Sequence, residues 1–346
     1  MKFEWIMDWD YIFSDDFEKK WNKLYKEAKN KNIFMHPALI KAWLKTYKNL
    51  RNLKPLFNIY YDKNFIVFFP LLLWKKNWKN AFIKTIIPAG YSDFDYNTPI
   101  VVGEDIDDMI NKYWDSLIKE LEVKFGNLFD TIELPAIQED FKSKKFIHCD
   151  ETYVMNLKEY INYDDFLKTF KSKERNDIKR QTKRLNDLGK LKYKKVNDNK
   201  DGLIILEDML YHHSLKWPNA YKAPEFHKNI LINGLKNNIL HFSYLELNNE
   251  IIAWNFSFQD ENTYYYYMPA FKEKYKKYSP GKVLLHQIIN EMLENKKISF
   301  DFLRGSEEYK FKYPVTEKKL YCFSKNQNNF KSKSKKLLLN LKKKVF

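Results

Sequence analysis

The sequence has few of the residues that dominate fibrous, disordered or disulfide-rich proteins. Its 346 residues include 8 Gly, 11 Pro and 2 Cys, whereas 44% are hydrophobic and 17% are aromatic. So little glycine and proline excludes collagen-like and low-complexity architectures, and so many apolar side chains exclude general disorder. Two cysteines, Cys149 and Cys322, are too few for a disulfide framework or a four-thiolate zinc site, and we expect a reducing compartment.

Long apolar runs and leader segments are also lacking. The run IVFFPLLLW at 66–74 falls well short of the roughly 20 residues that a membrane-spanning helix needs, so it predicts a buried strand. The N-terminal residues MKFEWIMDWDYIF include Asp and Glu and no cleavable apolar core, so we expect no signal peptide. These features predict a soluble, cytoplasmic protein.

Several common catalytic motifs are missing. The sequence has no GxxxxGK[ST] loop and no GxGxxG, which argues against a P-loop nucleotide site and a Rossmann dinucleotide site. It has no HxxxH, HExxH or CxxC, so we expect no metal. Because there is no GxSxG and neither cysteine has a histidine-rich setting, we expect no serine or cysteine nucleophile.

Positive charge is concentrated in two segments. Of the net charge of +16, residues 168–195 contribute +9 (12 Lys and Arg, 3 acids) and residues 327–346 contribute +7 (7 Lys, no acid). The first segment predicts one helix over 164–188, ended by Gly189. Its expected apolar face comprises Phe166, Phe170, Ile178, Leu185 and Leu188. Its basic face fits either a solvated surface or a cradle for an anionic partner, such as cofactor phosphates, tRNA, an acyl-carrier protein or a membrane.

The basic tail KSKSKKLLLNLKKKVF has apolar residues on one side. It fits a frayed, solvated terminus. It also fits a segment that lies on an anionic membrane surface, which would place the protein peripherally on the inner face of the membrane.

The chain divides into two halves with one predicted order: two helices, a hairpin, a strand, a helix and a strand. In the first half these elements are expected at 16–30, 37–48, 56–61, 65–73, 83–88, 107–125 and 130–134. In the second half they are expected at 164–188, 203–216, 240–247, 251–259, 263–268, 281–294 and 299–303. A repeat of this length predicts a duplicated α/β unit. We expect an N-terminal domain at 1–150, a C-terminal domain at 151–325 and a basic tail at 326–346.

The second half contains a strand, a basic loop and an apolar helix in succession, TYYYYM, FKEKYKKYSPGK and VLLHQIINEML. Gly281 at the helix start lets backbone N–H groups approach a ligand, and the helix N-terminus favours an anion. Lys276, Lys277 and Lys282 add positive charge. This order suits a pyrophosphate site, although Pro-Gly is also an ordinary helix start.

The second half also resembles a known family. It contains, in order, Ser279-Pro280-Gly281, Asp301-Phe302, Arg304-Gly305, Glu307 and Tyr309-Lys310. This pattern is similar to the C-terminal part of GNAT-superfamily acyltransferases of the CelD/BcsL type, relatives of the Fem-type peptidoglycan aminoacyltransferases. Weaker matches extend the resemblance over residues 30–320: SKERNDIKRQTKRLNDLG, HSLKW, and GYSDFDYNTPIV with Phe94 in place of the usual Tyr.

The resemblance implies a fold of the α/β (α+β) class, a tandem pair of GNAT-like domains with mixed, mostly antiparallel sheets flanked by helices. The first domain would be degenerate and contribute to the acceptor side, and the second would hold the donor site. The implied reaction moves an acyl group, most often acetyl, from acetyl-CoA or another acyl-CoA to an amine. The implied acceptor is an amino sugar or sugar nucleotide in bacterial cell-envelope polysaccharide biosynthesis.

The family's donor site maps to the strand and loop before the apolar helix. The implied cofactor-binding residues are Tyr267, Met268, Lys277, Tyr278, Ser279, Gly281, Lys282 and Val283. The loop departs from the common GNAT pattern, because it has a single Gly and Pro280 lacks an N–H donor. An acyl-carrier protein or an aminoacyl-tRNA therefore stays open as the donor.

Amide formation needs a base for the amine and a proton for the leaving thiolate. We expect the base to be Glu307 or Asp301, with an ion pair of Asp301 to Arg304 or Lys310 as the structural alternative. Tyr309 could protonate the thiolate, or it could be a half-buried aromatic residue of the core.

Two groups of residues could bind the acceptor. Those in the second half are Arg175, His213, Lys216, Trp217, Arg304 and Lys310, with Trp217 either a sugar platform or a core residue. Those in the first half are Asp93 and Asp95, which could reach over the second half or be solvated loop acids.

Three functional classes follow. The first is a GNAT-type N-acyltransferase. The second is a Fem-like transferase that uses aminoacyl-tRNA, although the coiled-coil arm of well-known Fem proteins has no counterpart in this sequence. The third is a basic module that binds nucleic acid or membrane, which steeply salt-dependent DNA binding without coenzyme A binding would favour.

Overall fold

The computed structural model describes residues 2–104, 106–218, 223, 225–328, 332–335 and 337. The chain forms two compact units, one of Met1–Asp150 with Lys319–Phe346 and one of Glu151–Lys318. The sequence placed residues 319–325 in the second domain. The structure instead groups them with the first unit, because they pair with a strand of that unit.

The helices and strands are numbered in chain order. Up to residue 156 they are β1 (Lys2–Ile6), α1 (Trp9–Phe13), α2 (Asp15–Glu27), α3 (Pro37–Leu50), β2 (Leu53–Asp62), β3 (Phe65–Lys75), β4 (Lys84–Pro88), β5 (Ile100–Val102), α4 (Ile106–Phe125), β6 (Thr131–Gln138) and β7 (Ile147–Asn156). The remainder are α5 (Tyr163–Lys168), α6 (Ser172–Asn186), β8 (Leu191–Lys195), α7 (Asn199–Lys216), α8 (Glu225–Lys236), β9 (Leu240–Leu247), β10 (Glu250–Gln259), β11 (Thr263–Phe271), α9 (Pro280–Glu294), β12 (Ser299–Arg304) and β13 (Thr316–Asn326). None of the helices in the described part of the chain is long and apolar enough to cross a membrane.

The first unit contains strands in the order β1-β2-β3-β4-β6-β13, with β5 beside β3. Neighbouring strands are antiparallel except β4 and β6, which are parallel. The run at 66–74 forms most of β3 and is buried on both faces. On one face Phe69 packs edge-on against Trp114 of α4, and on the other Phe68 packs against Trp21 of α2. The prediction of a buried strand for this run is therefore confirmed.

A disulfide joins Cys149 and Cys322 in the first unit, with the two Cα atoms 5.8 Å apart. The expectation of a reducing compartment rested on the small number of cysteines, and a disulfide is uncommon in such a compartment. The sequence could not indicate the bond, because 173 positions separate the two residues and only the fold brings β7 and β13 together at this point.

The beginning of the basic tail is attached to the first unit at Asp130. Its carboxylate accepts hydrogen bonds from Ser332 Oγ (2.7 Å), Lys335 Nζ (2.5 Å) and the backbone N–H of Lys84 (2.9 Å). Burial alone would raise the pKa of Asp130, but these donors outweigh it and hold the pKa below its usual range. The proposed membrane contact falls mainly on residues 338–346, which lie outside the described residues.

We expect Asp130→Asn to release residues 332–335, because a neutral amide cannot pair with Lys335. The cost should be about 1–3 kcal/mol, measured as faster amide hydrogen exchange in the peptide covering residues 332–337. Because the folded-state pKa is depressed, the attachment should be complete above the unfolded value of about 3.9. It should be lost as the pH falls through the lower folded value. Asp140→Asn, an exposed control, should leave exchange unchanged, and equal exchange in both variants would refute the attachment.

The second unit contains strands in the order β7-β12-β11-β10-β9-β8, antiparallel except for the parallel pair β11 and β12. Helix α9 packs its apolar face on this sheet, with Val283, Leu284, Ile288 and Met292 in one buried cluster with Phe300. Strands β9 and β10 are buried almost throughout, and α9 shows the 3.6-residue period of its apolar residues. The predicted strands and hairpins of both halves are present, and the predicted α/β class is confirmed.

The helix expected over 164–188 is two helices, so that prediction is wrong. Helix α5 ends where the Thr169 hydroxyl bonds the Phe166 carbonyl, and Lys171 then takes an extended backbone conformation before α6 begins. Arg175 bonds the Phe170 carbonyl across this break (2.8 Å). Leu188 lies beyond α6 and is exposed, whereas the other four residues of the expected apolar face are buried. The spacing of the apolar residues continues across the break between α5 and α6, so this spacing alone could not reveal that the helix is interrupted.

Candidate functional site

A cavity of about 700 Å³ lies in the second unit at the C-terminal end of β11. Its walls come from the first turns of α6 and α9, the last turn of α7 and residues 309–313 after β12. The inner end is apolar and aromatic, lined by Phe170, Ile178, Tyr266, Leu285 and Tyr313, all of them buried. The mouth is basic, and the lysines that line it are Lys216, Lys276, Lys282 and Lys312. This combination suits a ligand with an apolar arm and anionic groups.

The cavity lies where two parallel strands cease to pair. The register of β11 with β12 covers only Thr263–Tyr265 against Ser299–Asp301, although β11 continues to Phe271 and β12 to Arg304. On its other side, β11 carries one extra residue between the pairs Phe258–Tyr265 and Phe256–Met268, an irregularity typical of a β-bulge. The Ser257 hydroxyl accepts the Tyr267 N–H there (3.0 Å). The end of pairing leaves room for a ligand beside the last residues of β11.

The loop between β11 and α9 is held by a carboxylate at the start of β10. Glu250 accepts hydrogen bonds from Lys272 (3.1 Å), Lys274 (2.9 Å) and Tyr275 (2.8 Å). Burial would raise its pKa, but the bonds from these three residues lower the pKa of Glu250 to about 2. Two of the four lysines in this loop are therefore paired with the carboxylate that anchors it, and the loop has a defined position before α9 begins.

Helix α9 begins at a left-handed residue, Ser279, with φ 51°. Pro280 occupies the first helical turn, where a missing N–H costs little, and Gly281 follows at the cavity wall. Lys282 lines the cavity and pairs with Asp177 of α6 (2.9 Å). The resulting helix N-terminus, flanked by lysines, can accommodate phosphate groups.

The basic helix α6 lies against this loop. The Arg184 guanidinium bonds the Lys277 carbonyl (3.2 Å) and stacks 4.9 Å from the ring centre of Tyr278. The cations of β8 are used differently: Lys192 and Lys194 pair with Glu246. In the +9 segment, lysines of β8 are therefore used in ion pairs within the unit. The outer face of α6 has exposed cations at Lys173, Lys179, Arg180 and Lys183.

The residues predicted to bind the donor fall in three places. Gly281 and Lys282 line the cavity. Lys277, Tyr278 and Ser279 form the turn just before it. The other three side chains point elsewhere: Tyr267 packs against Phe258 (4.9 Å between ring centres), Met268 is buried, and Val283 belongs to the core cluster. On β11 the residues that face the cavity are Tyr266 and 269–271.

Of the predicted catalytic residues, only Tyr309 lines the cavity. Burial, aided by the charge of Glu307, raises the pKa of Tyr309, so the hydroxyl keeps its proton at neutral pH. The buried carboxylate of Asp301 accepts the Leu303 N–H (2.8 Å), and Glu307 pairs with Lys310 (2.9 Å). Both carboxylates therefore bind groups close to them in the sequence.

Lys310, predicted to bind substrate, is a buried cation engaged by groups of its own segment. Its side chain is 2% exposed, and Nζ donates to the carbonyls of Leu303 (3.2 Å), Arg304 (2.7 Å) and Gly305 (2.9 Å). Arg304 ends β12 outside the cavity lining. The sequence could not show this role, because a lysine five positions after a glycine is typical of an exposed turn.

The three acceptor residues predicted at the end of α7 all line the cavity: His213, Lys216 and Trp217. Trp217 is 50% exposed, so it is not a core residue, and Lys216 lies 5.4 Å from its ring centre. Burial, with a smaller contribution from Lys216, lowers the pKa of His213 to about 4, so its imidazole is neutral at pH 7. This end of the cavity offers an aromatic platform and a neutral hydrogen-bonding group.

The other predicted acceptor residues lie elsewhere. In the first unit, Asp93 accepts hydrogen bonds from Trp43 Nε1 (2.8 Å) and Tyr47 OH (3.2 Å) and lies 3.6 Å from Arg51. It is thus a structural residue of that unit. Asp95 is half-buried in the same loop. The Arg175 guanidinium donates a hydrogen bond to the Phe170 carbonyl at the break between α5 and α6, and Arg175 is not part of the cavity lining.

Sequence reasoning missed two features of the cavity. His286 of α9 lies between two phenols, with Tyr163 OH at 2.9 Å from Nδ1 and Tyr313 OH at 3.2 Å from Nε2, and burial lowers its pKa to about 3. Glu174, in the first turn of α6, also lines the cavity. The signal for Glu174 was present: it lies four residues after Phe170 and four before Ile178, within the apolar face. Among the described residues, no group of three or more His, Cys, Asp or Glu could hold a metal ion.

Comparisons with known proteins agree with this geometry. A family model described as an acetyltransferase (GNAT) domain matches residues 172–311, from the start of α6 to just beyond Lys310. No curated protein matches the sequence. The matched region contains nearly all of the cavity.

The fold of the whole chain is similar to several solved structures. The structure of FemX is 12% identical, covers 94% of this chain and 98% of its own, and has a TM-score of 0.62. L-PGS from Bacillus licheniformis is 12% identical over 93% of this chain and 96% of its own, with a TM-score of 0.55. A tandem GNAT protein from the clavulanic acid biosynthesis pathway is 6% identical over 95% and 99%, with a TM-score of 0.51.

At such low sequence identities, the solved structures support only the fold, and the family match supports the class of enzyme. The end of strand pairing beside a glycine-led helix and the matched region coincide in the second unit. Residues 172–311 of the second unit therefore match a GNAT acetyltransferase domain, which supports an acyltransferase, and the fold of the chain is similar to those of FemX and of a tandem GNAT protein.

Proposed function

We propose that this chain moves an acyl group from an acyl-coenzyme A to the amine of an amino sugar or sugar nucleotide used in surface polysaccharide assembly. The observation that carries the proposal is the position of the cavity, between the last residues of β11 and the Gly281 end of α9. A donor with an apolar arm and phosphates fits an apolar cavity with a basic mouth. A Cβ added at Gly281 would approach Phe271 Cδ1 at 3.5 Å, so the glycine keeps this wall open without being conformationally required.

The residues around the cavity suit the parts of this reaction. The N-terminus of α9, with Lys276 and Lys282 nearby, would receive the donor's phosphates. Trp217 would stack on a sugar ring, since it is exposed beside the cavity. Tyr309 would donate a proton to the leaving thiolate, because its raised pKa keeps the hydroxyl protonated. Binding both substrates in one cavity would supply much of the rate.

A calorimetric titration of the full chain with acetyl-CoA and with free coenzyme A at moderate salt tests the proposal. We expect one site with a dissociation constant of about 1–100 μM. The apolar cavity should also give a negative heat-capacity change on binding. The absence of a heat signal with either ligand would overturn coenzyme A as the donor carrier.

The outer face of α6 favours a second candidate, transfer from an aminoacyl-tRNA. Lys173, Lys179 and Lys183 are exposed along a helix that contacts the donor loop. These cations extend beyond the cavity along the helix surface, as binding of a long polyanion such as tRNA would require. Binding of tRNA with a steep salt dependence, together with no coenzyme A binding, would select this candidate.

A further inference from the structure

Two carboxylates line the cavity, Glu174 and Glu273. Glu273 pairs with Lys276 (2.7 Å), and each of these side chains is 70% exposed. Glu174 differs, because no described residue donates a hydrogen bond to its carboxylate or forms an ion pair with it. Its carboxylate is thus available to a ligand in the cavity.

Glu174 lies within the apolar face of α6. The break after α5 starts a new helix at Ser172, so that Glu174 lies in its first turn, one turn before the buried Ile178. Both residues line the cavity, as does Phe170. Burial, with smaller contributions from Tyr163, Tyr309 and the charge of Glu174, raises the pKa of Tyr313 on the facing wall. Glu174 is therefore close enough to influence the inner end of the cavity.

The remaining candidates for an amine-binding carboxylate are already engaged. Asp301 accepts a hydrogen bond within β12, Glu307 pairs with Lys310 in the segment after β12, and Asp177 pairs with Lys282. The four lysines at the mouth would repel an incoming ammonium group, whereas a carboxylate inside the cavity would attract it. The carboxylate is therefore the favourable binding position for the ammonium. The histidines of the cavity do not oppose it, because burial keeps His213 and His286 neutral at pH 7.

We propose that Glu174 receives the acceptor's amine, an inference that rests on the proposed acyl transfer. The ammonium R–NH₃⁺ binds to the Glu174 carboxylate and loses one proton through it to water. The amine nitrogen then forms a C–N bond with the thioester carbonyl carbon, and the C–S bond breaks. A second proton passes from the nitrogen to the leaving thiolate by way of a tyrosine hydroxyl, and the third stays on the amide. The products are the amide, the free thiol and one proton in solution.

The test uses two coenzyme A thioethers that need no knowledge of the acceptor. S-(3-aminopropyl)-coenzyme A carries an ammonium group near the reacting centre, and S-butyl-coenzyme A has the same length without charge. We expect the wild-type chain to bind the amine about tenfold or more tightly than the butyl compound. Glu174→Gln should lose this preference while binding S-butyl-coenzyme A as before. Glu308→Gln, an exposed glutamate outside the cavity lining, should keep the preference.

The outcomes separate the two proposals. Binding of neither thioether by the wild-type chain would overturn the coenzyme A donor itself. Binding of S-butyl-coenzyme A without a preference for the amine, or a preference that survives in Glu174→Gln, would overturn the role of Glu174 alone. Partial recovery of the preference in Glu174→Asp would support a direct charge contact.

Discussion

Replacing Gly281 by tryptophan is expected to abolish donor binding and leave the second unit folded. Gly281 lies in the first turn of α9, and a Cβ there would meet only Phe271 Cδ1, at the ordinary distance of 3.5 Å. Its backbone is not in the left-handed region, so a larger residue causes no strain. The added indole would occupy the part of the cavity that we assign to the donor.

The loss in affinity should reach about 100-fold, because the indole and the donor cannot occupy the same volume. Calorimetry with coenzyme A measures this loss, and thermal unfolding shows that the variant is folded. Asn295→Trp is the matched control, since Asn295 is exposed at the opposite end of the same helix. The assignment of the donor loop fails if Gly281→Trp binds coenzyme A like the wild type, or if both variants lose binding equally.

Replacing Lys310 by methionine is expected to destabilise the second unit by about 1–3 kcal/mol for each carbonyl left without a donor. Methionine has a similar length but no donor, so the carbonyls of Leu303, Arg304 and Gly305 would be left buried without Nζ. Leu303 and Gly305 both have left-handed backbone, with φ of 61° and 102°. The lysine therefore holds a turn that the chain would not otherwise prefer.

Urea unfolding of the second unit measures this effect. Lys318→Met, at an exposed position of the same unit, should change stability by no more than about 0.5 kcal/mol. Because Tyr309 immediately precedes Lys310, the variant should also weaken donor binding. A stability within about 1 kcal/mol of the wild type would show that water replaces Nζ at the three carbonyls.

The sequence predicted those parts of the site that depend on local pattern. The apolar and aromatic runs of β10 and β11, the basic loop and the Pro-Gly start of α9 follow one another in the chain. Local propensities therefore decide their form, and the donor end of the cavity could be located at Gly281 and Lys282. The α7 residues His213, Lys216 and Trp217 were found through the family resemblance, and they also line the cavity.

Other residues depend on contacts that a local sequence pattern does not reveal. Asp93 was expected to face the acceptor, but it is bound by Trp43 and Tyr47, 50 and 46 positions earlier. Lys310 was expected to bind substrate, but its Nζ is surrounded by the carbonyls of a turn five to seven residues before it. Cys149 and Cys322 form a disulfide through the fold.

By itself the sequence determined the class of fold, the repeated order of elements and the place of the donor loop, because hydrophobic period, turn residues and helix starts act over a few neighbouring residues. The tertiary structure decided which charges are free to act. Asp301, Glu307 and Lys310 resemble site residues in the sequence, but in the structure they bind groups of their own segment. Glu174 resembles one helix charge among many in the sequence, but it lines the cavity and has no ion-pair partner among the described residues. Burial and long-range partners set the cost of a charge, and neither can be known before the chain has folded.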